Sequence, residues 1–199
     1  MLKLGLTGSI ATGKSTVLKT FAELGVPVFS ADDVVHELYR AEAVAPIEAA
    51  FPGTTHDGEV DRAALSQRLV AEPGRIKELE AIVHPLVRGR VQKFLADTEA
   101  TGEPLAVVDV PLLFETGFDY GLDQVAVTTV DDVTQVQRAL ARPGMNVEKL
   151  DAILARQLPQ AEKLKRADYV FDTSGSLADT RNAVAALVEQ LAQRTSQET

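Results

Sequence analysis

The sequence predicts an α/β protein built on a five-stranded parallel sheet covered by helices on both faces. Three observations carry that prediction. Strand and helix signals alternate along the 199 residues, several strand segments are wholly apolar, and a glycine-bracketed turn joins the first strand to the first helix. Strands without a polar alternate face are buried on both sides, the environment of a parallel sheet whose crossovers are helices.

The first strand is Leu2-Lys3-Leu4-Gly5-Leu6-Thr7, and a helix follows from Ser15 to Leu24, closed by Gly25. Val26-Pro27-Val28-Phe29 reads as a second short strand, and Asp32 to Leu38 as a helix. Two short helices, Pro46 to Phe51 and Ala63 to Leu69, are separated by the turn-rich "PGTTHDGEVD". The stretch "EPGRIKELEAIVHPLVRGRVQKFLADTEA" is amphipathic at helical spacing, with Pro85 expected to start or kink one piece of it. Three apolar runs supply the remaining strands: Leu105 to Val110, Gln124 to Val130 and Asp168 to Phe171. Ala178 to Arg194 reads as a terminal amphipathic helix. The helical excursion between the second and third strands is too long for a plain crossover. It is expected to be a ligand-binding insertion, about residues 34–102, in a single domain whose core is about 1–33 and 103–199.

Composition narrows the function classes. Hydrophobic residues make up 45% and charged ones 25%, the balance of a globular protein. A net charge of −9 argues against a general affinity for nucleic acid or anionic membrane, while a local basic pocket for an anionic small molecule stays open. There is no cysteine, hence no disulfide and no thiol chemistry. No apolar run approaches the roughly 20 residues of a membrane span. The N-terminus reads as a strand rather than a signal peptide, so a cytoplasmic location is expected.

Gly8-Ser9-Ile10-Ala11-Thr12-Gly13-Lys14-Ser15 fits G-x-x-x-x-G-K-[ST], the phosphate-binding P-loop. Glycines let successive N–H groups turn inward around a phosphate, and the helix beginning near Gly13 adds its unpaired amides and its dipole. Lys14 would reach the β- and γ-phosphates, and the Ser15 hydroxyl would ligate Mg²⁺. By chance alone a chain of this length carries the pattern about one time in a hundred, and here it sits in the required strand–loop–helix context.

The motif does not say what receives the phosphate. No N-K-x-D guanine-reading segment occurs, and "DTSG" at Asp172 to Gly175 comes after the last strand, where a switch does not belong. A small-metabolite kinase needs three further parts. Asp32 and Asp33, beside Ser30 at the end of the second strand, offer a carboxylate for an acceptor hydroxyl, or else a helix cap. Asp109, closing "AVVDVPLLFE", is placed like a metal-orienting aspartate, or is a polar strand terminus. Arg138 and Arg142, at i and i+4, suit a lid of about residues 134–165 over the transferring phosphate, or form a solvated face.

At this level of detail the chain resembles the dephospho-CoA kinase family. The landmarks are "GLTGSIATGKSTV", "ADDVVHEL", "GEVDRAALSQRLV", "LEAIVHPLVR", "VVDVPLLFE", "TQVQRALAR" and "ADYVFDTSGS", in that order from Leu4 to about Leu187. The resemblance implies a P-loop NTPase-type fold with an acceptor-binding insertion and a helical lid. It also implies an ATP- and Mg²⁺-dependent transfer to the ribose 3′-hydroxyl of dephospho-CoA, the last step of coenzyme A biosynthesis. On that footing Gly8 and Ala11, Thr12, Gly13, Lys14, Ser15 and Thr16 hold the ATP phosphates, with Arg142 and Arg138 from the lid. Asp32 matches the aspartate proposed as general base. Arg62, His84, Arg88, Leu112 and Glu115 are candidate acceptor contacts, and Ser15 holds Mg²⁺ with Asp109 through water. The expected partners are ATP and dephospho-CoA alone, with no nucleic acid or membrane, for a monomer or weak homo-oligomer. The chain departs from the common pattern in four places: Ser30 for an aspartate, Ala11 for a glycine, Pro143-Gly144 in the lid, and the segment "DTSGS" where asparagine is frequent. The competing readings are another P-loop small-metabolite kinase and a non-catalytic ATP-binding module.

Overall fold

The computed structural model describes residues 1–197, with side chains to residue 193. The chain divides into two compact units, one formed by Met1–Phe29 and the chain from Leu95 onward, the other by Ser30–Phe94. Among the described residues no helix is long and apolar enough to cross a membrane.

The first unit begins with β1 (Leu2–Gly8) and α1 (Lys14–Glu23), and β2 (Val28–Ser30) crosses its boundary. It resumes with β5 (Leu105–Asp109), α6 (Leu113–Thr116), β6 (Gln124–Thr129) and α7 (Asp132–Leu140). After these come α8 (Val147–Leu154), α9 (Gln160–Leu164), β7 (Tyr169–Asp172) and α10 (Leu177–Gln197). The five-stranded sheet has the order β2-β5-β1-β6-β7, with β1 paired in parallel to both β5 and β6. All five residues of β5 are buried, the environment that its unbroken apolar sequence requires. On one side α1 and α10 close over the sheet with Val17, Phe21, Val184 and Leu187. Phe21 meets Phe171 edge-on at 6.0 Å.

The second unit holds α2 (Ala31–Leu38), α3 (Val44–Ala50), β3 (Thr55–His56), β4 (Glu59–Val60), α4 (Arg62–Ala71) and most of α5 (Ile76–Ala100). Leu38, Ile47, Phe51, Val60 and Leu65 are among its buried residues. Arg75 lies with its guanidinium 4.4 Å from the centre of the Phe51 ring and donates to the Ala50 carbonyl at 2.6 Å.

Two local expectations change. Of the two roles expected of Pro85, starting a helix is ruled out: it lies inside α5, which is helical over 25 residues. A mid-helix proline costs about 3 kcal/mol. It is outweighed by a buried stripe at i, i+4 spacing, Val83, Val87, Val91 and Leu95, each at most 6% exposed and each contributing roughly 1.5–3 kcal/mol. The stretch "PGTTHDGEVD" is more than turns. Its Asp57-Gly58 pair, both at positive φ, joins the antiparallel strands β3 and β4 as a tight hairpin.

Candidate functional site

The carboxyl ends of β1, β5 and β6 come side by side, with Leu6 registered against Asp109 and Gly8 against Thr128. The loop leaving β1 is built for close approach. A Cβ on Gly8 would stand 2.1 Å from Thr128 Oγ1, and one on Gly13, at φ 82°, within about 3 Å of the Thr173 side chain. Thr12 Oγ1 donates to the Ser9 carbonyl at 2.8 Å and lies 2.7 Å from Thr128 Oγ1. The amide of Thr12 bonds to Ser9 and that of Ile10 to a side chain. Among the described residues the amides of Ala11 and Gly13 donate to no protein atom. The first amides of α1, at Lys14 and Ser15, have no helical carbonyl behind them. Four backbone donors are thus left for an anion, beside the positive end of a helix dipole.

Lys14 reaches across to β5, where its ammonium donates to both carboxylate oxygens of Asp109 at 2.5 Å. Both side chains are largely buried, so each needs the other's charge when no further ion is present. Ser15 is exposed at the mouth of the loop, and Thr16 is half-buried behind it.

Arg138 of α7 is half-buried, its two terminal nitrogens on Thr173 Oγ1 (3.0 Å) and on the Thr173 carbonyl (2.8 Å). Thr173 Oγ1 in turn donates to the Thr12 carbonyl at 3.0 Å. The threonine of "DTSGS" therefore ties Arg138 to the floor of the loop. Arg142 is exposed in the turn after α7. Asp131 caps α7, and the Thr134 N–H it accepts holds its carboxyl below the usual range.

Leu112 is half-buried at the start of α6. Glu115, on the same short helix, accepts from the Leu158 N–H at 2.8 Å and pairs at 2.6 Å with the fully buried ammonium of Lys163. Its Oε1 is thus committed within the protein. The sequence offered no signal for Lys163, which reads as one lysine in a basic run. Nor did it mark Thr128, Thr173, Gln135, Gln157 and Gln160, whose partners lie far away along the chain.

In the second unit Ser30 caps α2, accepting from the Asp33 N–H at 3.2 Å. Asp32 stands exposed in the first turn and is not the cap. Arg62 opens α4, and its charge opposes the rise that burial imposes on the Tyr39 phenol. His84 and Arg88, half-buried, share one face of α5.

A parallel sheet with G-x-x-x-x-G-K-S between its central strand and first helix, a lysine on the neighbouring strand's aspartate and unpaired amides around the turn defines a P-loop nucleotide-binding protein. The family model described as dephospho-CoA kinase matches residues 2–179, and the chain belongs to that family. It is 57% identical over 192 residues to a dephospho-CoA kinase of Rhodopseudomonas palustris, covering 96% of each chain. To one of Rhizobium meliloti it is 54% identical, covering 96% of this chain and 98% of that one. Among solved structures, one from Thermus thermophilus superposes with a TM-score of 0.80 at 34% identity, over 96% of this chain and 97% of that one. The dephospho-CoA kinase of Campylobacter jejuni gives 0.68 at 25%, over 94% and 96%. A shikimate kinase from Bacteroides thetaiotaomicron shares the fold alone, with a TM-score of 0.58 at 18% identity over 96% and 98%.

Proposed function

We propose that the protein is an ATP-dependent kinase that phosphorylates the ribose 3′-hydroxyl of dephospho-CoA, giving CoA and ADP. The observation that carries this is an intact phosphate cradle, with Lys14 poised on Asp109, in a chain matched to dephospho-CoA kinases along nearly its whole length. The transfer is direct and in line within a ternary complex. Asp32 takes the proton of the 3′-hydroxyl as its oxygen bonds to the γ-phosphorus. The bond from that phosphorus to the bridging oxygen breaks, and ADP leaves with the electron pair.

Little covalent chemistry is asked of the protein in such a transfer, so positioning and charge neutralisation supply the rate. Lys14 follows the phosphoryl group, while Arg138 and Arg142, on a lid of about residues 134–165, complete the clamp. Arg62, His84 and Arg88 of the insertion, with Leu112, contact the acceptor. Among the described residues no cluster of three or more His, Cys, Asp or Glu side chains could cage a metal. The oxygen donors of Ser15 and Asp109 do fit a hard dication brought in with the nucleotide, Asp109 acting through water. Magnesium held there would neutralise phosphate charge.

The test is ADP release with ATP against a panel of dephospho-CoA, adenosine, AMP and shikimate. Turnover is expected with dephospho-CoA alone. Lys14→Ala and Asp32→Asn are each expected to lower turnover by roughly 10²–10⁴-fold without altering the circular dichroism spectrum. Near wild-type turnover in Asp32→Asn would remove it as the base. Turnover on a different acceptor would keep a kinase and discard this substrate.

A further inference from the structure

We propose that Gln135 and Gln157 are positioning residues for the nucleotide, clamping the two peptide groups of Ile10 and so presetting the phosphate loop. Ile10 is the residue before the left-handed Ala11, which sits at φ 63°. Gln157, between α8 and α9, accepts from the Ile10 N–H at 3.0 Å. Gln135 of α7 donates its amide to the Ile10 carbonyl at 2.8 Å. One side chain holds the peptide entering Ile10 and the other holds the peptide leaving it.

The orientation of Gln135 is itself enforced. The residue is 5% exposed, and its Oε1 accepts from Gln160 Nε2 at 3.0 Å. Gln160 Oε1 in turn accepts from Thr129 Oγ1 (2.9 Å) and the Val130 N–H (3.3 Å) at the end of β6. With its oxygen occupied, Gln135 can present only its NH₂ group to Ile10. The chain of amides runs from the rigid sheet to the loop.

The consequence for phosphate binding follows from peptide geometry. In a planar trans peptide the carbonyl and the next N–H point in opposite directions. Holding the Ile10 carbonyl on Gln135 therefore aims the Ala11 N–H away from it, and that amide has no protein partner among the described residues. A non-glycine residue at positive φ needs such over-determination by its surroundings. Without the clamp the loop samples other orientations of this peptide, and the nucleotide must reorder it on binding.

The inference rests on the kinase reading only for the choice of nucleotide, so the probe is ADP, bound without any acceptor and measured by calorimetry. Gln135→Met and Gln157→Met are each expected to weaken ADP binding about tenfold, the effect of one lost hydrogen bond. In turnover, KM for ATP rises while KM for dephospho-CoA holds. A paired comparison separates donor and acceptor roles from mere filling of space. Gln157→Glu keeps an acceptor for the Ile10 N–H, whereas Gln135→Glu sets a carboxylate against the Ile10 carbonyl. Both add the same charge, and Gln135→Glu is expected to bind ADP more weakly. Should Gln135→Met not fold, Gln157→Met, at a half-buried site, decides alone. Wild-type ADP affinity in Gln157→Met, or equal affinity in the two Glu variants, overturns the proposal. ADP binding by a wild-type protein that does not phosphorylate dephospho-CoA would sink the substrate and leave the clamp standing.

Discussion

Ala11 shows how three small effects offset one another at a single residue. Left-handed backbone costs an alanine about 1–2 kcal/mol. Glycine would relieve that strain but would lose about 0.5–1 kcal/mol in chain entropy. It would also forfeit about 0.8 kcal/mol from burial of the methyl group, which packs with Ala139 and Leu150. Ala11→Gly is therefore expected to shift stability by less than about 1 kcal/mol in urea unfolding. A larger stabilisation would mean that the contact with α7 and α8 counts for nothing. Ala11→Val should be clearly destabilised, since a β-branched side chain at positive φ is a true outlier.

Among the elements, α6 and α9 are joined by a pair the sequence does not advertise. Lys163 is fully buried against Glu115, which also accepts the Leu158 N–H. Glu115→Gln strands a buried ammonium and is expected to cost about 3–5 kcal/mol. Replacing both with methionine should recover most of that, because packed apolar groups suit such a site. Urea unfolding of the three proteins decides, and a wild-type midpoint for Glu115→Gln would remove the pair from the account. What was legible in the sequence was local. Gly8 to Ser15 sit within eight consecutive positions, and the apolar runs of β1, β5 and β6 each declare themselves without help. What was hidden depends on partners distant in sequence: Thr12 with Thr128, Ile10 with Gln135 and Gln157, Glu115 with Lys163. The Asp57-Gly58 hairpin was hidden for another reason, since strands of two residues are too short to show alternation. Pro85 does not start a helix because the local rule was outweighed by a stripe of burial from Val83 to Leu95.

For the molecule as a whole, a charge of −9 makes acid the condition to examine. The carboxyls of Asp61, Asp131 and Asp179 are held below their usual range by backbone or serine hydrogen bonds at helix starts, and that of Asp172 by Ser174. Each has a folded pKa below its unfolded value near 3.9. The stability they contribute is thus complete above that value and is lost as pH falls through the folded pKa. Urea midpoints should hold from about pH 5 to 8 with respect to these groups and drop below about pH 4. Asp131→Asn, which keeps a capping oxygen but cannot titrate, should show a shallower acid loss than wild type. Equal acid losses would refute this assignment.

The position of β1 in the middle of its sheet has a further consequence, for the birth of the chain. Its partners on either side begin at Leu105 and Gln124, so Leu2 must wait some hundred residues for its neighbour. At roughly 5–20 residues per second of synthesis, the delay is on the order of 5–20 s. Throughout it an apolar strand emerges with both edges unsatisfied, and non-local pairing of this kind is slow even in a finished chain. The arrangement that puts the phosphate loop on the central strand of its sheet also delays that strand's pairing until more than half of the chain has been made.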